Sequence, residues 1–157
     1  MEYPVIKAMF KDETPKSIFE VGCANGGLLN DVYKNMEVSV GGLDQNEGDL
    51  GRSKARFPKY AENFFVWDMN NIPWPVKDKQ YDIAFTVGTL LYADNPKAII
   101  DEMARIARKI MIAEPEVGII EKDHHGTRHY RSYKELLEGK IEELGMVATK
   151  LIYKCTL

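Results

Sequence analysis

Apolar and polar positions switch repeatedly between two periods along this chain. Ser17–Val21 is a short apolar run that stops at Gly22. From Gly27 the apolar residues Leu28, Leu29, Val32, Tyr33 and Met36 fall on one helical face. Residues 38–43 read as a second strand, ending at Asp44, and residues 47–57 as a weaker helix anchored by Leu50 and Phe57. A third strand over residues 63–67 ends at Asp68. Prolines 73 and 75 make residues 70–79 an irregular loop. Residues 81–86 form a fourth strand. Asp94 can cap the next helix, with Pro96 in its first turn, where a missing N–H costs nothing. Ile99, Ile100, Met103, Ile106 and Ala107 are that helix's buried face. Residues 109–113 are a fifth strand. Ser132 and Glu135 make a capping box for a last helix with Leu136, Leu137, Ile141 and Leu144 inward, ended by Gly145. Residues 146–155 are the final strand.

Strands alternating with helices predict an α/β, three-layer Rossmann-like doubly wound sheet, mostly or wholly parallel and covered on both faces. Right-handed crossovers settle most of the topology. Ligands then bind beyond the carboxyl ends of the strands, where the strand order reverses. Those ends carry Glu20 with Gly22, Asp44, Asp68 and Thr86.

Composition narrows the class. The 157 residues suit one domain spanning 1–157, and 45% apolar with 29% charged is a globular balance. A net charge of −3 with scattered Lys and Arg leaves no footprint for nucleic acid. Cys23 and Cys155 make neither a disulfide framework nor a metal set, which fits a reducing compartment. Residues 1–10 lack an apolar core of signal-peptide length, and no stretch approaches the roughly 20 apolar residues that span a bilayer. A cytoplasmic protein without membrane contact is expected.

The strand ends carry the chemistry. Gly22, Gly26 and Gly27 let backbone approach a ligand where a Cβ would intrude. Asp44 lies 20 residues or so further on, the spacing of an acid that grips a ribose diol. Asp68 can accept a hydrogen bond from the exocyclic amine of a base. A nicotinamide dinucleotide calls for Gly-x-Gly-x-x-Gly, yet the middle position is Ala24 and the spacing differs. Glu20 would also repel a pyrophosphate. S-adenosylmethionine (SAM) has no phosphate, and its ammonium and sulfonium are cations that nearby acids favour.

On these residues the chain resembles the class I SAM-dependent methyltransferases. Glu20, Gly22 and Gly26 resemble their first motif, and Gly42-Leu43-Asp44 their ribose-binding acid. Trp67-Asp68-Met69 with Ile72-Pro73 resembles the segment that caps the adenine. Residues 81–86 with Leu90-Leu91 resemble the fourth strand and the motif after it, and Arg128-His129-Tyr130 with Leu136-Leu137 and Gly145-Met146 the stretch before and through the last crossover helix. The resemblance runs in order from about Ser17 to Leu151. It implies that Glu20, Gly22, Cys23, Ala24 and Gly26 meet the methionine part, and that Asp44 with Gln45 takes the ribose. Asp68 and Met69 then face the adenine, with Thr86 and Val87 beside the sulfonium. Ala24 stands where the family usually has Gly. The family's sheet normally ends in an antiparallel hairpin. Only Thr156 and Leu157 follow the final strand, so the antiparallel strand is expected to be missing and the sheet edge to be open or covered by a partner chain, for which a homodimer is the hypothesis.

Candidate bases for the acceptor are His124, His125 and Tyr92; His129 can instead anchor its loop, and no metal set is recognisable. Thr86-Val87-Gly88-Thr89 is unlike the Asn-Pro-Pro-Tyr of base-amine methylation, so a small-molecule acceptor, methylated on O or N, is expected. A SAM-binding module without catalysis is the alternative. A thermal-shift comparison separates the cofactors: SAM should raise the melting temperature more than NADH does, and the opposite order would return the site to hydride chemistry.

Overall fold

The computed structural model describes residues 1–115, 120–123, 126–129, 133–147 and 149–157, the second and third of these as backbone only. In chain order come helix α1 (Pro4–Met9), strand β1 (Ser17–Val21), α2 (Gly27–Tyr33), β2 (Ser39–Asp44), α3 (Glu47–Arg56), β3 (Phe64–Val66), β4 (Tyr81–Val87) and α4 (Pro96–Ile106). Then follow β5 (Ala107–Pro115), β6 (Ile120–Asp123), β7 (Gly126–His129), β8 (Lys140–Val147) and β9 (Lys150–Thr156). Short 3-10 turns occupy Pro58–Asn63, Leu90–Tyr92 and Lys134–Leu136.

A seven-stranded sheet has the order β3-β2-β1-β4-β5-β9-β8, and β6 with β7 makes a separate hairpin. The first five strands are parallel neighbours. The order reverses between β1 and β4, which opens the crevice where ligands bind. Alternate side chains feed the two faces. Phe19, Val21, Leu43, Ala84, Ile110 and Ile112 pack under α4 with Ile99, Ile100 and Met103. Ile18, Val40, Ile83, Phe85 and Met111 pack with Ile6 and Met9 of α1, Leu29 and Val32 of α2, and Leu50 of α3.

The carboxyl-terminal third departs from the expected fold. The sheet is mixed: β9 runs antiparallel to β5 on one side and to β8 on the other. The antiparallel strand expected to be missing is therefore present, and β9 and β8 occupy the edge on which the homodimer expectation rested. What differs is the helix expected over residues 132–145. Glu135 and Leu136 lie in a single 3-10 turn, and residues 140–147 are strand. Ser132 lies outside the described residues. The misleading signal has a physical source. Ile141 packs with one core cluster and Leu144 with the other, so a three-residue spacing that reads as one helical face is two sides of a strand. Gly145, expected as a helix terminator, sits at φ +81° at a register shift of β8. The chain reverses before β9 through Thr149 at φ +67°, a position that usually announces itself with Gly or Asn.

Side-chain hydrogen bonds place the connections. Asp31 of α2 accepts from the N–H groups of Glu2 (2.8 Å) and Tyr3 (3.0 Å), which seats α1. Asn46 caps α3 through the Asp49 N–H (2.9 Å), and Asn95, rather than Asp94, caps α4 through the Ala98 N–H (3.3 Å). The proline-containing loop after β3 is held from α4. Glu102 Oε1 accepts from the Trp74 N–H (2.7 Å) and from Arg105 (2.6 Å), and Arg105 also donates to the Val76 and Trp74 carbonyls. Trp74 is buried, and its indole donates to the Met69 carbonyl (2.9 Å), so it packs beneath the loop as a core residue. Burial alone would raise the Glu102 pKa, but the Arg105 guanidinium and the Trp74 N–H hold it below the usual carboxylate value. Replacing Glu102 with Ala strands the buried Trp74 N–H and removes one of the two carboxylates that pair with Arg105, leaving Asp78 at 2.7 Å. Urea unfolding of Glu102→Ala should show a loss of about 2–3 kcal/mol, with the loop of residues 70–79 more open to proteolysis.

Candidate functional site

A cavity of about 690 Å³ opens at the carboxyl ends of β1, β2, β3 and β4. Gly22 and Ala24 form one wall, Asp44, Gln45, Asn46 and Asp49 a second, Trp67 to Asn70 a third, and Val87, Gly88, Thr89 and Tyr92 a fourth. Every wall begins where a strand ends, so the sheet register sets the shape of the site. The volume lies within the usual range for small-molecule and cofactor pockets.

The first wall is a strained turn. Gly22 has φ +75° and Gly26 φ +73°. A Cβ at Gly22 would collide with the Thr89 side chain, which lies directly over it. Ala24 is held at φ +43°, in the left-handed region that a non-glycine residue enters at a cost of about 1–2 kcal/mol. Two partners hold it there. Its N–H donates to Asp44 Oδ2 (2.9 Å), and its carbonyl accepts from the hydroxyl of Ser53 (2.8 Å), a fully buried residue of α3. Arg56 adds a bond to the Asn25 carbonyl (3.2 Å), so α3 clamps the turn from outside.

Asp44 is fixed on both oxygens, because Oδ1 accepts from the Asn46 N–H (2.8 Å). Each carboxylate oxygen keeps a further acceptor direction for a ligand. Asp68 lines the cavity and also makes a turn, accepting on Oδ1 from the N–H (2.9 Å) and the amide (3.1 Å) of Asn70. Asn70 in turn accepts from the Asp94 N–H (3.0 Å), which joins the third wall to the fourth.

Of the eleven residues expected to contact the cofactor, Gly22, Ala24, Asp44, Gln45, Asp68, Met69 and Val87 line the cavity. Glu20, Cys23, Gly26 and Thr86 stand behind that lining. Glu20 is 2% exposed; burial and the neighbouring Asp44 push its pKa well above the usual value, and its Oε2 has no partner among the described residues. Cys23 packs on Gly42, and burial, Glu20 and Asp44 push its thiol well up, which makes it a poor nucleophile. Thr86 is fully buried with its hydroxyl unpartnered among the described residues. Tyr92 is among the residues that line the cavity. His124 and His125 lie outside the described residues, and His129 is on β7.

Several contributors escaped sequence reasoning. Asp49, Asn70 and Thr89 line the cavity, Ser53 holds its turn, and buried Glu114 stands behind the fourth wall. Asp49 sits one turn into a helix that starts at the end of β2, and that offset is readable. The others depend on contacts between segments 24 to 29 residues apart.

Residues 19–110 match the family described as methyltransferase domain, which is more than half of the chain. The chain is 27% identical over 97 residues to norajmaline N-methyltransferase of Rauvolfia serpentina, covering 59% of this chain and 32% of that protein. It is 26% identical over 102 residues to malonyl-[acyl-carrier protein] O-methyltransferase of Hahella chejuensis, covering 64% and 36%. The chain thus spans about a third of the length of these curated relatives. In fold it resembles the methyltransferase in the complex with the Haloferax volcanii Trm112 activator, with a TM-score of 0.71, 15% identity, and 97% and 90% of the two chains covered. The chain belongs to the methyltransferase domain family. Its cofactor is therefore SAM, as the resemblance implied.

The residues present fit that cofactor. Asp44, Asp49 and Asp68 contribute three carboxylates, and among the described residues no Lys or Arg lines the cavity. Such a lining favours a cationic nucleoside over a pyrophosphate. Asp49 is partly offset by Arg52 at 2.6 Å. Removing the Asp44 carboxylate should weaken S-adenosylhomocysteine binding by ~1–3 kcal/mol, the scale of lost charge-assisted hydrogen bonds. Titration calorimetry of Asp44→Ala checks this, and an unchanged affinity would remove Asp44 from the ribose site.

Proposed function

We propose that residues 1–157 act as one methyltransferase domain that transfers the methyl group of SAM to an O or N atom of a small-molecule acceptor, leaving S-adenosylhomocysteine. The observation that carries this reading is the acid-lined cavity whose backbone turn at Gly22 and fixed carboxylate at Asp44 meet at the reversal of strand order. In this reading Gly22, Ala24 and the buried Glu20 serve the methionine part, Asp44 and Gln45 the ribose, Asp68 and Met69 the adenine, and Val87 the region of the sulfonium. The names of the two relatives, one an N- and one an O-methyltransferase, support a choice between those two acceptor atoms.

SAM supplies a methyl group already activated by its sulfonium, so the protein's task is alignment. The Gly22 turn and Asp44 hold the cofactor end still. The fourth wall, Val87 to Tyr92, offers the surface that faces an acceptor. Tyr92 has a hydroxyl that can orient an acceptor oxygen or nitrogen or, once ionised to the phenolate, take its proton; His124 and His125 are proposed for the same role. A group for proton removal is needed only where the acceptor must lose a proton.

The purified chain, incubated with SAM and a panel of small alcohols, amines and carboxylic acids, should give S-adenosylhomocysteine with at least one acceptor class. Tyr92→Phe should then lower kcat roughly 10-fold or more, on the scale of lost general-base help, with SAM affinity kept. Tight SAM binding with no turnover on any acceptor would favour the non-catalytic module instead.

A further inference from the structure

The fourth wall has a support that the cofactor roles do not use. At the end of β4 the ladder with β5 stops: Val87 pairs with Ala113, and the Gly88 N–H makes a last bond to the Ala113 carbonyl (2.9 Å). The chain then leaves the sheet for the 3-10 turn Leu90–Tyr92, whose entry residue Thr89 makes no side-chain cap. The first N–H groups of such a turn have no partner inside it and must find one elsewhere. They find it on the next strand. Glu114 of β5 sends one oxygen, Oε1, to the N–H groups of both Thr89 (2.9 Å) and Leu90 (3.0 Å). Its own backbone is occupied by β9, opposite Leu151. Glu114 is 1% exposed, and its second oxygen is buried without a partner among the described residues. A fully buried carboxyl is retained against a desolvation penalty, so its two bonds must serve something that an apolar residue would not.

The two ends of the turn show what it serves. Thr89, whose N–H is held, lies over Gly22 of the cofactor turn, and Tyr92, which closes the 3-10 turn, lines the cavity. We propose that Glu114 is a positioning residue: it caps the turn after β4 from the neighbouring strand and so sets the distance of the Thr89–Tyr92 wall from Gly22. The inference rests on reading the cavity as a SAM site. The requirement is geometric. An acceptor must reach two backbone N–H groups across one strand, which Gln can do, while Asp is one methylene too short and Ala has no acceptor at all.

Three variants test it, with S-adenosylhomocysteine as the probe in calorimetry and amide hydrogen exchange read at Thr89 and Leu90. Glu114→Ala and Glu114→Asp should weaken binding about 10-fold or more and lose protection at both amides, while Glu114→Gln stays within about threefold and keeps it, since burial pushes the pKa of the Glu114 carboxyl up to about 7, so that near neutral pH it is already partly uncharged and Gln offers the same carbonyl acceptor. Rescue by Gln is the readout that mere filling of space would not produce. If all variants bind as the wild type does, or if Gln fails as badly as Ala, the positioning role is wrong. Should Ala not fold, the Asp and Gln pair carries the comparison. Absence of binding by the wild type would instead sink the cofactor reading, and amide protection at Thr89 and Leu90, kept in Gln and lost in Asp, would still decide the role of Glu114.

Discussion

The Asp44 carboxylate ties the turn after β1 to the entrance of α3. One oxygen takes the Ala24 N–H from the turn after β1, and the other takes the Asn46 N–H at the entrance of α3. Because α3 then returns Ser53 and Arg56 to the same turn, the loop is gripped from inside the cavity and from behind it. A left-handed alanine survives only under such over-determination. Asp44, proposed above for the ribose, is thus also a structural part of the cavity it lines.

Preorganisation of that kind repeats around the rim. Asn70 bridges Asp68 to the chain at Asp94, Trp74 and Glu102 fasten the loop below, and Glu114 fastens the turn after β4. Each wall leaves the sheet at a strand end and is caught within a few residues by a polar side chain from another element. Loops at strand ends carry variable chemistry, while the sheet beneath them carries the stability.

The parallel half of the fold was legible because each signal there is local. A five-residue apolar run ends at a glycine, an acid ends the next strand, and a helix begins within a few residues. Seven of the eleven expected cofactor residues line the cavity for the same reason: strand ends point where the topology says they point. The carboxyl-terminal third was misread because its signals are ambiguous at the level of spacing. Leu136, Leu137, Ile141 and Leu144 match a helical period, and only the two-sided packing of Ile141 and Leu144 reveals a strand. The hairpin before β9 uses Thr149 in place of a glycine, so its turn is silent in the sequence. Ser53 and Glu114 were invisible for a different reason. Their importance lies in which backbone group they reach, and a serine in a helix or a glutamate at a strand end looks ordinary until that partner is placed.

The three carboxylates around the cavity bear on more than capture. In the methyl transfer proposed above, the sulfur of the cofactor changes from a cation to a neutral thioether, while the rest of the molecule keeps its charges. A lining with Asp44, Asp49 and Asp68 and, among the described residues, no basic side chain therefore grips the two forms unequally. At partly solvated distances the difference is on the order of 1 kcal/mol. Under the proposed function the walls therefore favour the charged form over the spent one, a preference that fades as salt screens it.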